Sequence, residues 1–320
     1  MKQFIHFMQT HTRNYKNYSY QTGDRLPVRR SKKRRLGKFI LVIAVILIIF
    51  FIIKGVLVSG NGNSDSAKGS SSATEENKKE PEKPKKKVVD TSDLKASLEQ
   101  ISKQYPYNTG VAVIDLNSGT LVQSGDDYPY VAASTTKLLT AVLYLEDVEQ
   151  GKVSLSKNIG GKTAQEQLRL MINRSDNPAW HQINTYLSIA SLQAFATEQG
   201  LTSYDARKNT MTTKDMAILL AKIHNREILN DQHTELLYSW MQNTSEERFI
   251  PAAVPAGVKM YHKAGYLNDR VHDVAIVDNG TAPFVIVIYS KSYNNTAYSY
   301  LTGQKLFNQI TAHVLNTFSK

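Results

Sequence analysis

The chain contains no cysteine among its 320 residues, so no disulfide framework supports its fold. Its eight histidines form neither a His-Glu-x-x-His motif nor a ligand cluster, which argues against a metal site. The phosphate-loop echo Gly160-Gly161-Lys162-Thr163 lacks its first glycine, because Ser156 stands five positions before Gly161. No cofactor is expected. Acidic residues are nearly missing from residues 1–38, where Asp24 alone faces eleven Lys and Arg. Of the 39 basic and 28 acidic residues in the chain, this leaves 28 and 27 for everything after Lys38. The formal charge of +11 is therefore a local device and not a surface for nucleic acid.

The segment directly after the basic block explains it. Residues 39–58 are twenty positions with one charge, Lys54, and Leu, Ile, Val or Phe at nearly all the others. At about 1.5 Å per residue, such a helix spans about 30 Å, the thickness of a bilayer core. It is apolar on all sides, as lipid requires and a globular surface helix does not. The positive-inside rule then puts the N-terminus in the cytoplasm and everything after Val58 outside. A cleaved signal peptide is the competing reading, but such peptides have a short n-region, and here about forty residues precede the apolar run.

Four segments result. Residues 1–38 lack helical or strand periodicity and read as a disordered cytoplasmic tail; residues 39–58 read as a transmembrane helix. Residues 59–90, Ser/Gly-rich and then Lys/Glu/Pro-rich, cannot bury a core and form an extended spacer. Residues 91–320 make one folded unit of ordinary domain size. Within it, Ser92 is placed to cap a helix carrying Leu94, Leu98 and Ile101, and runs 110–116 and 120–122 form a hairpin about Asn117-Ser118-Gly119. Helical periodicity dominates from Ser134 to about Met241, with a central apolar helix over 137–148. Amphipathic helices are expected over 164–172, 180–189, 191–199 and 213–224, the last capped by Thr212. Strands return at 259–264, 272–277 and 284–290, and a helix over 297–318 closes the chain. The order β, α, β, α implies that the chain ends build one sheet around a helical insertion, with a cleft between the two parts.

Three short patterns in that unit carry chemistry: Ser134-Thr-Thr-Lys137, Ser175-Asp176-Asn177 and Lys263-Ala264-Gly265. A serine hydroxyl needs a base within hydrogen-bond reach, and positions i and i+3 of a helix share a face, so Lys137 lies beside Ser134. Lysine can serve as a base when burial and a second cation such as Lys263 lower its pKa. Ser175 is suited to relay a proton to a leaving nitrogen, and Asn177 to bond a substrate amide. Lys263 would meet a substrate carboxylate, and Gly265 would end the strand in a sharp turn and let backbone approach closely. Each pattern alone is weak. Ser-x-x-Lys also occurs at Ser92–Lys95 and Ser154–Lys157, and Ser175-Asp176-Asn177-Pro178 is a plausible Asx turn. Only the copy at Ser134 has the other two elements behind it in order.

From about Thr109 to Ser290 the sequence resembles the class A β-lactamases and their penicillin-interacting serine hydrolase relatives. The likeness extends to Gly110-Val-Ala-Val-Ile-Asp-Leu-Asn-Ser-Gly119, Asn209-Thr-Met-Thr-Thr-Lys-Asp-Met-Ala217, Arg248-Phe-Ile-Pro-Ala252 and Asp273-Val-Ala-Ile276. The resemblance implies an α/β fold, an αβα sandwich on an antiparallel sheet, joined to an all-helical subdomain. It implies Ser134 as nucleophile, Lys137 as its base or relay, and an oxyanion hole from the backbone N–H groups of Ser134 and Tyr266. Two departures stand out. Ala264 replaces the usual Thr or Ser, and a lost hydrogen bond to a charged group is worth roughly 1.5–3 kcal/mol. The loop that carries the deacylating Glu in class A enzymes is shortened to residues 201–208, where Asp205 is the sole carboxylate and the only candidate base.

The expected activity is opening of β-lactams or related amide or ester bonds through an acyl-enzyme, by a monomeric ectodomain with a β-lactam or peptidoglycan-like substrate and slow deacylation. A cell-wall D,D-peptidase or esterase, and a non-hydrolytic wall-binding or sensor protein keeping the fold, are the alternatives. The topology is checked with protease added to cells stripped of their wall. Residues 91–320 should be degraded and the N-terminal tail protected; a free mature protein starting near Ser59 would contradict the anchor.

Overall fold

The run Phe284-Val-Ile-Val-Ile-Tyr289 is buried at every position, which an antiparallel strand requires only when both faces of its sheet are covered. The computed structural model describes residues 86–319. The expected tail, the apolar run 39–58 and spacer residues 59–85 lie outside the described residues. Among the described residues, no helix is long and apolar enough to cross a membrane.

The described chain opens with α1 (Leu94–Ser102) and the hairpin β1 (Tyr107–Asp115) and β2 (Leu121–Gly125). The short β3 (Tyr130–Val131) leads through a 3-10 turn, Ala133–Thr136, into α2 (Lys137–Glu149). A small hairpin of β4 (Asn158–Ile159) and β5 (Lys162–Thr163) precedes α3 (Ala164–Asn173), α4 (Asn177–Leu187) and α5 (Ile189–Glu198). Then come β6 (Thr210–Met211), α6 (Thr213–His224) and α7 (Asp231–Trp240). The long strands β7 (Lys259–Leu267), β8 (Arg270–Asp278) and β9 (Phe284–Ser292) follow, and α8 (Tyr300–Ser319) closes the fold.

Five strands form one antiparallel sheet in the order β2-β1-β9-β8-β7, so the two ends of the domain do build a single sheet. Strand period two sorts its residues cleanly. Val113, Ile286 and Ala275 lie in cross-strand register and pack with Leu98 of α1 and Phe307, Ile310 and Val314 of α8. Their neighbours Ala112, Val287 and Val274 are also in register and pack on the opposite side with α2 and α6. Every residue of α2 from Lys137 to Leu145 is buried, so this helix is the axis of the helical part. The result is an α/β sandwich on an antiparallel sheet with a helical subdomain.

Local structure departs from the sequence expectation at three places. Helix α1 starts after Asp93 with no side-chain cap, and Ser92 instead gives its N–H to Asp90. Helix α4 starts at Asn177 rather than Trp180, because Asp176 accepts the Ala179 N–H at 2.7 Å and Pro178 sits in the first turn, where a missing N–H costs nothing. Strand β7 runs on through Gly265 to Leu267, so the expected turn at that glycine is absent and the chain reverses only before Arg270. The Gly160-Gly161 pair is a hairpin turn between β4 and β5, not a phosphate loop.

Helix α8 offers a test of packing against propensity. A methyl group on buried Gly303 would sit 2.2 Å from the Tyr298 ring. That ring is stacked on Tyr107 at 4.2 Å, and its hydroxyl donates to Ser290 at 2.8 Å, so it has no room to swing. Alanine gains about 1 kcal/mol of helix propensity over glycine, whereas overpacking costs about 1–3 kcal/mol. Gly303→Ala should therefore lower the urea midpoint; a raised midpoint would show that propensity wins.

Candidate active site

Ser134 sits in the 3-10 turn that joins β3 to α2, directly ahead of the helix N-terminus. Ala133 before it has φ of +52°, a left-handed conformation that costs a residue with a Cβ about 1–2 kcal/mol. Surrounding contacts hold the turn in place. Thr135 donates to the Ala132 carbonyl at 2.8 Å, and its hydroxyl lies 2.8 Å from that of Tyr289 on β9. His272 on β8 sits 3.0 Å through Nε2 from the Val131 carbonyl and accepts the Ser290 N–H at Nδ1. These partners require a neutral ring protonated at Nε2, and full burial accordingly pushes the His272 pKa down to about 3.

Strand β7 is an edge of the sheet, and the Ser134 turn packs against it. A Cβ on Gly265 would lie 2.6 Å from the Ser134 nitrogen and 3.0 Å from that of Thr135. The glycine is needed for this approach of two backbones, not for a turn. His262 donates its N–H away from the sheet, to the Met241 carbonyl at 3.0 Å. By strand alternation, the N–H groups of Ala264 and Tyr266 point to that same edge. The strand backbone at Gly265 therefore lies directly against the Ser134 turn, with Tyr266 the next residue along that edge.

Two buried lysines are joined by one serine. Lys137, fully buried, donates through Nζ to the Ser175 carbonyl at 2.7 Å and to Asn177 Oδ1 at 2.8 Å. Lys263, 3% exposed, donates to the Ser175 hydroxyl at 2.9 Å and to the Ala264 carbonyl at 2.7 Å. Ser175 itself is held at φ of +55°. Ser175 and Lys263 come from separate parts of the chain and meet here beside Lys137, which follows Ser134 by three residues. Asn177 does two jobs: it begins α4 behind the Asp176 cap and it binds Lys137. The Asx-turn reading of this motif holds, and the same short segment also supplies two partners to Lys137.

The electrostatics follow from burial. Lys137 is driven well below its ordinary pKa, first by desolvation and then by the charge of Lys263, with Asp176 opposing. Lys263 falls to about 8 through desolvation, with Asp273 and Glu246 opposing. Burial and the neighbouring cation thus both favour the neutral form of Lys137. Its two acceptors, Ser175 and Asn177, take the two N–H bonds of a neutral amine and leave one lone pair. Such an amine can take a proton from an adjacent hydroxyl.

Two further groups complete the description. Asp205 closes its own loop: Oδ1 accepts the N–H groups of Arg207 at 2.9 Å and Lys208 at 3.0 Å, and Oδ2 faces Lys208 Nζ at 3.3 Å. These bonds, that from the Lys208 amide foremost, lower its pKa and make it a weaker base. His262, next to Lys263, is buried with Nδ1 3.0 Å from Asp273 and Nε2 3.2 Å from Glu247. Burial opposes its charge, but Asp273 and then Glu247 outweigh it and raise the pKa to about 9. Sequence reasoning missed this network, because Asp273 arrives from the next strand and Glu247 from a loop. Among the described residues no cluster of His, Asp or Glu is arranged to hold a metal.

Residues 93–318 match the model of the β-lactamase enzyme family. Among solved structures, PBP-A superposes with a TM-score of 0.65 at 26% identity, covering 74% of this chain and 98% of that one. A single-substitution variant of PBP-A, described as its acyl-enzyme complex with penicillin G, gives a TM-score of 0.64 at 26% identity, over 71% of this chain and 96% of that one. An ancestral class A β-lactamase shares the fold with a TM-score of 0.65 at 23% identity, over 70% of this chain and all of that one. The chain is a serine hydrolase and belongs to the β-lactamase enzyme family.

Proposed function

We propose that this protein is a membrane-anchored, extracytoplasmic hydrolase that opens β-lactams, or related amide or ester bonds, through an ester on Ser134, and that it releases the acyl group slowly. The observation that carries the proposal is the Lys137–Ser175–Lys263 chain of hydrogen bonds beneath the Ser134 turn. Neutral Lys137 takes the Ser134 proton as Oγ attacks the carbonyl carbon. The negative oxygen that forms is met by the Ser134 and Tyr266 N–H groups. The carbon–nitrogen bond then breaks, and the nitrogen receives its proton from the Ser175 hydroxyl, which Lys137 replenishes. Charged Lys263 polarises Ser175 and attracts a substrate carboxylate, and exposed Asn177 lies where a side-chain amide can reach it. Ala264 offers no hydroxyl to that carboxylate, which weakens binding. The anchor rests on residues 39–58 and on the basic block before them.

Slow release follows from the water step. Deacylation needs a base to activate water, and general-base help contributes about 10² to 10⁴-fold. The one carboxylate of the 201–208 loop is committed to its own loop amides. The capture of a PBP-A variant as its penicillin G acyl-enzyme is in keeping with long-lived esters on this fold.

The proposal is tested with a fluorescent penicillin and intact-mass analysis over time. Wild type should show a burst of one adduct and weak steady turnover. Ser134→Ala and Lys137→Ala should not label, whereas Ser92→Ala and Ser154→Ala should label normally. Asp205→Asn should leave adduct lifetime unchanged, because an amide oxygen can still accept the loop N–H groups. Labelling of Ser134→Ala would sink the nucleophile assignment. Rapid wild-type turnover, or a sharply longer-lived adduct in Asp205→Asn, would sink the claim of a missing base.

A further inference from the structure

The strained turn around Ser134 is braced on two sides, and one brace comes from an unexpected place. On one side lies the Gly265 backbone. On the other lies Asn209, the residue that ends the shortened 201–208 loop. The two-residue ladder Tyr130–Met211 and Val131–Thr210 brings β6 alongside the segment that enters the turn. One residue further, Ala132 donates its N–H to the Asn209 carbonyl at 2.9 Å. At that point Asn209 turns away with φ of +53°, so its backbone cannot continue the ladder. Its side chain continues it instead. Nδ2 donates to the Ala133 carbonyl at 2.9 Å, and Oδ1 accepts the Thr136 hydroxyl at 2.5 Å. One carboxamide therefore spans the residue before Ser134 and the residue two after it.

We infer that Asn209 is a positioning residue for the reaction: its side-chain amide locks the left-handed backbone at Ala133 and thereby fixes the Ser134 hydroxyl and N–H toward the oxyanion site. The inference rests on Ser134 being the nucleophile. The residue type follows from the chemistry. The site needs a donor toward a carbonyl and an acceptor for a hydroxyl, both on one short side chain, on a residue that tolerates positive φ; Asn meets all three conditions. Asp would present an oxygen to the Ala133 carbonyl and repel it, and Ala would leave the carbonyl and the Thr136 hydroxyl only their long 3.4 Å bond to each other. The other side-chain donor to the Ala133 carbonyl, the Thr136 hydroxyl at 3.4 Å, is itself bonded to Asn209, so changing Asn209 loosens both supports of the strained turn. The short loop thus supports the nucleophile instead of supplying a base for water.

A displacement of about 1 Å at reacting atoms costs about 10²-fold in rate. Full-length protein in detergent is assayed by rapid mixing with a fluorescent penicillin, which separates the acylation rate constant from the affinity of the first complex. Phenylboronic acid affinity is measured beside it, because a tetrahedral boronate on Ser134 reads the placement of hydroxyl and amide together. In Asn209→Ala and Asn209→Asp, acylation and boronate affinity should fall in parallel by about 10- to 100-fold, while the first complex keeps its affinity. If Asn209→Ala does not fold, Thr136→Val removes one of the two contacts and should show a smaller loss of the same kind. Acylation within about threefold of wild type, in protein whose melting temperature alone has fallen, would overturn the inference and leave Asn209 a stability residue. Labelling of Ser134→Ala in the same assay would instead overturn the nucleophile assignment beneath it.

Discussion

Two lysine side chains are taken out of water within reach of a single serine, and the rest of the site depends on that. Lys137 and Lys263 both bind Ser175, one through its carbonyl and the other through its hydroxyl. Two ammonium ions in such a space are costly, because each has lost its hydration and each repels the other. One must give up its proton. The surroundings favour its loss from Lys137, since Lys263 has carboxylates nearby that favour its charge, Asp273 first and then Glu246. Two residues of the same type thus sit in different electrostatic surroundings, as the proposed roles of base and anion-binding cation would need.

The architecture exists to hold this arrangement. The edge strand β7 supplies Lys263, Gly265 and Tyr266 from one rigid element, and α2 supplies Lys137 from the most buried helix of the domain. Between them, Ser134 occupies a turn whose backbone strain is held by Tyr289 through Thr135, by His272 through Val131 and by Asn209. The helical part contributes Ser175 and Asn177 at the start of α4. Lys137 and Lys263 are buried, whereas Asn177 and Tyr266 are exposed.

How much of this was legible in the sequence varied with the range of the interaction. Helix α6 was read at both ends, because its amphipathic face and the Thr212 cap are local, and the structure shows Thr212 accepting the Asp215 N–H. The apolar run of α2 announced its burial in the same way. The start of α4 was read late, since Asp-Asn-Pro signals a turn as strongly as a helix cap. Gly265 was expected to end its strand, because nothing local says that the glycine answers the backbone at Ser134, far back in the chain. The His262 network and the Asn209 brace were invisible for the same reason. Their partners come from other strands and loops, and only the sheet register brings them together.

The central claim is that Lys137 is neutral because it is buried beside a charged Lys263. It is tested most directly by following both side chains through pH with NMR of isotope-labelled lysine, assigned by substitution. The account predicts that Lys137 carries no proton at pH 7, that Lys263 titrates near 8, and that the Lys137 pKa rises when Lys263→Ala removes the neighbouring charge. A Lys137 that stays protonated beyond pH 9 in the wild type would contradict it.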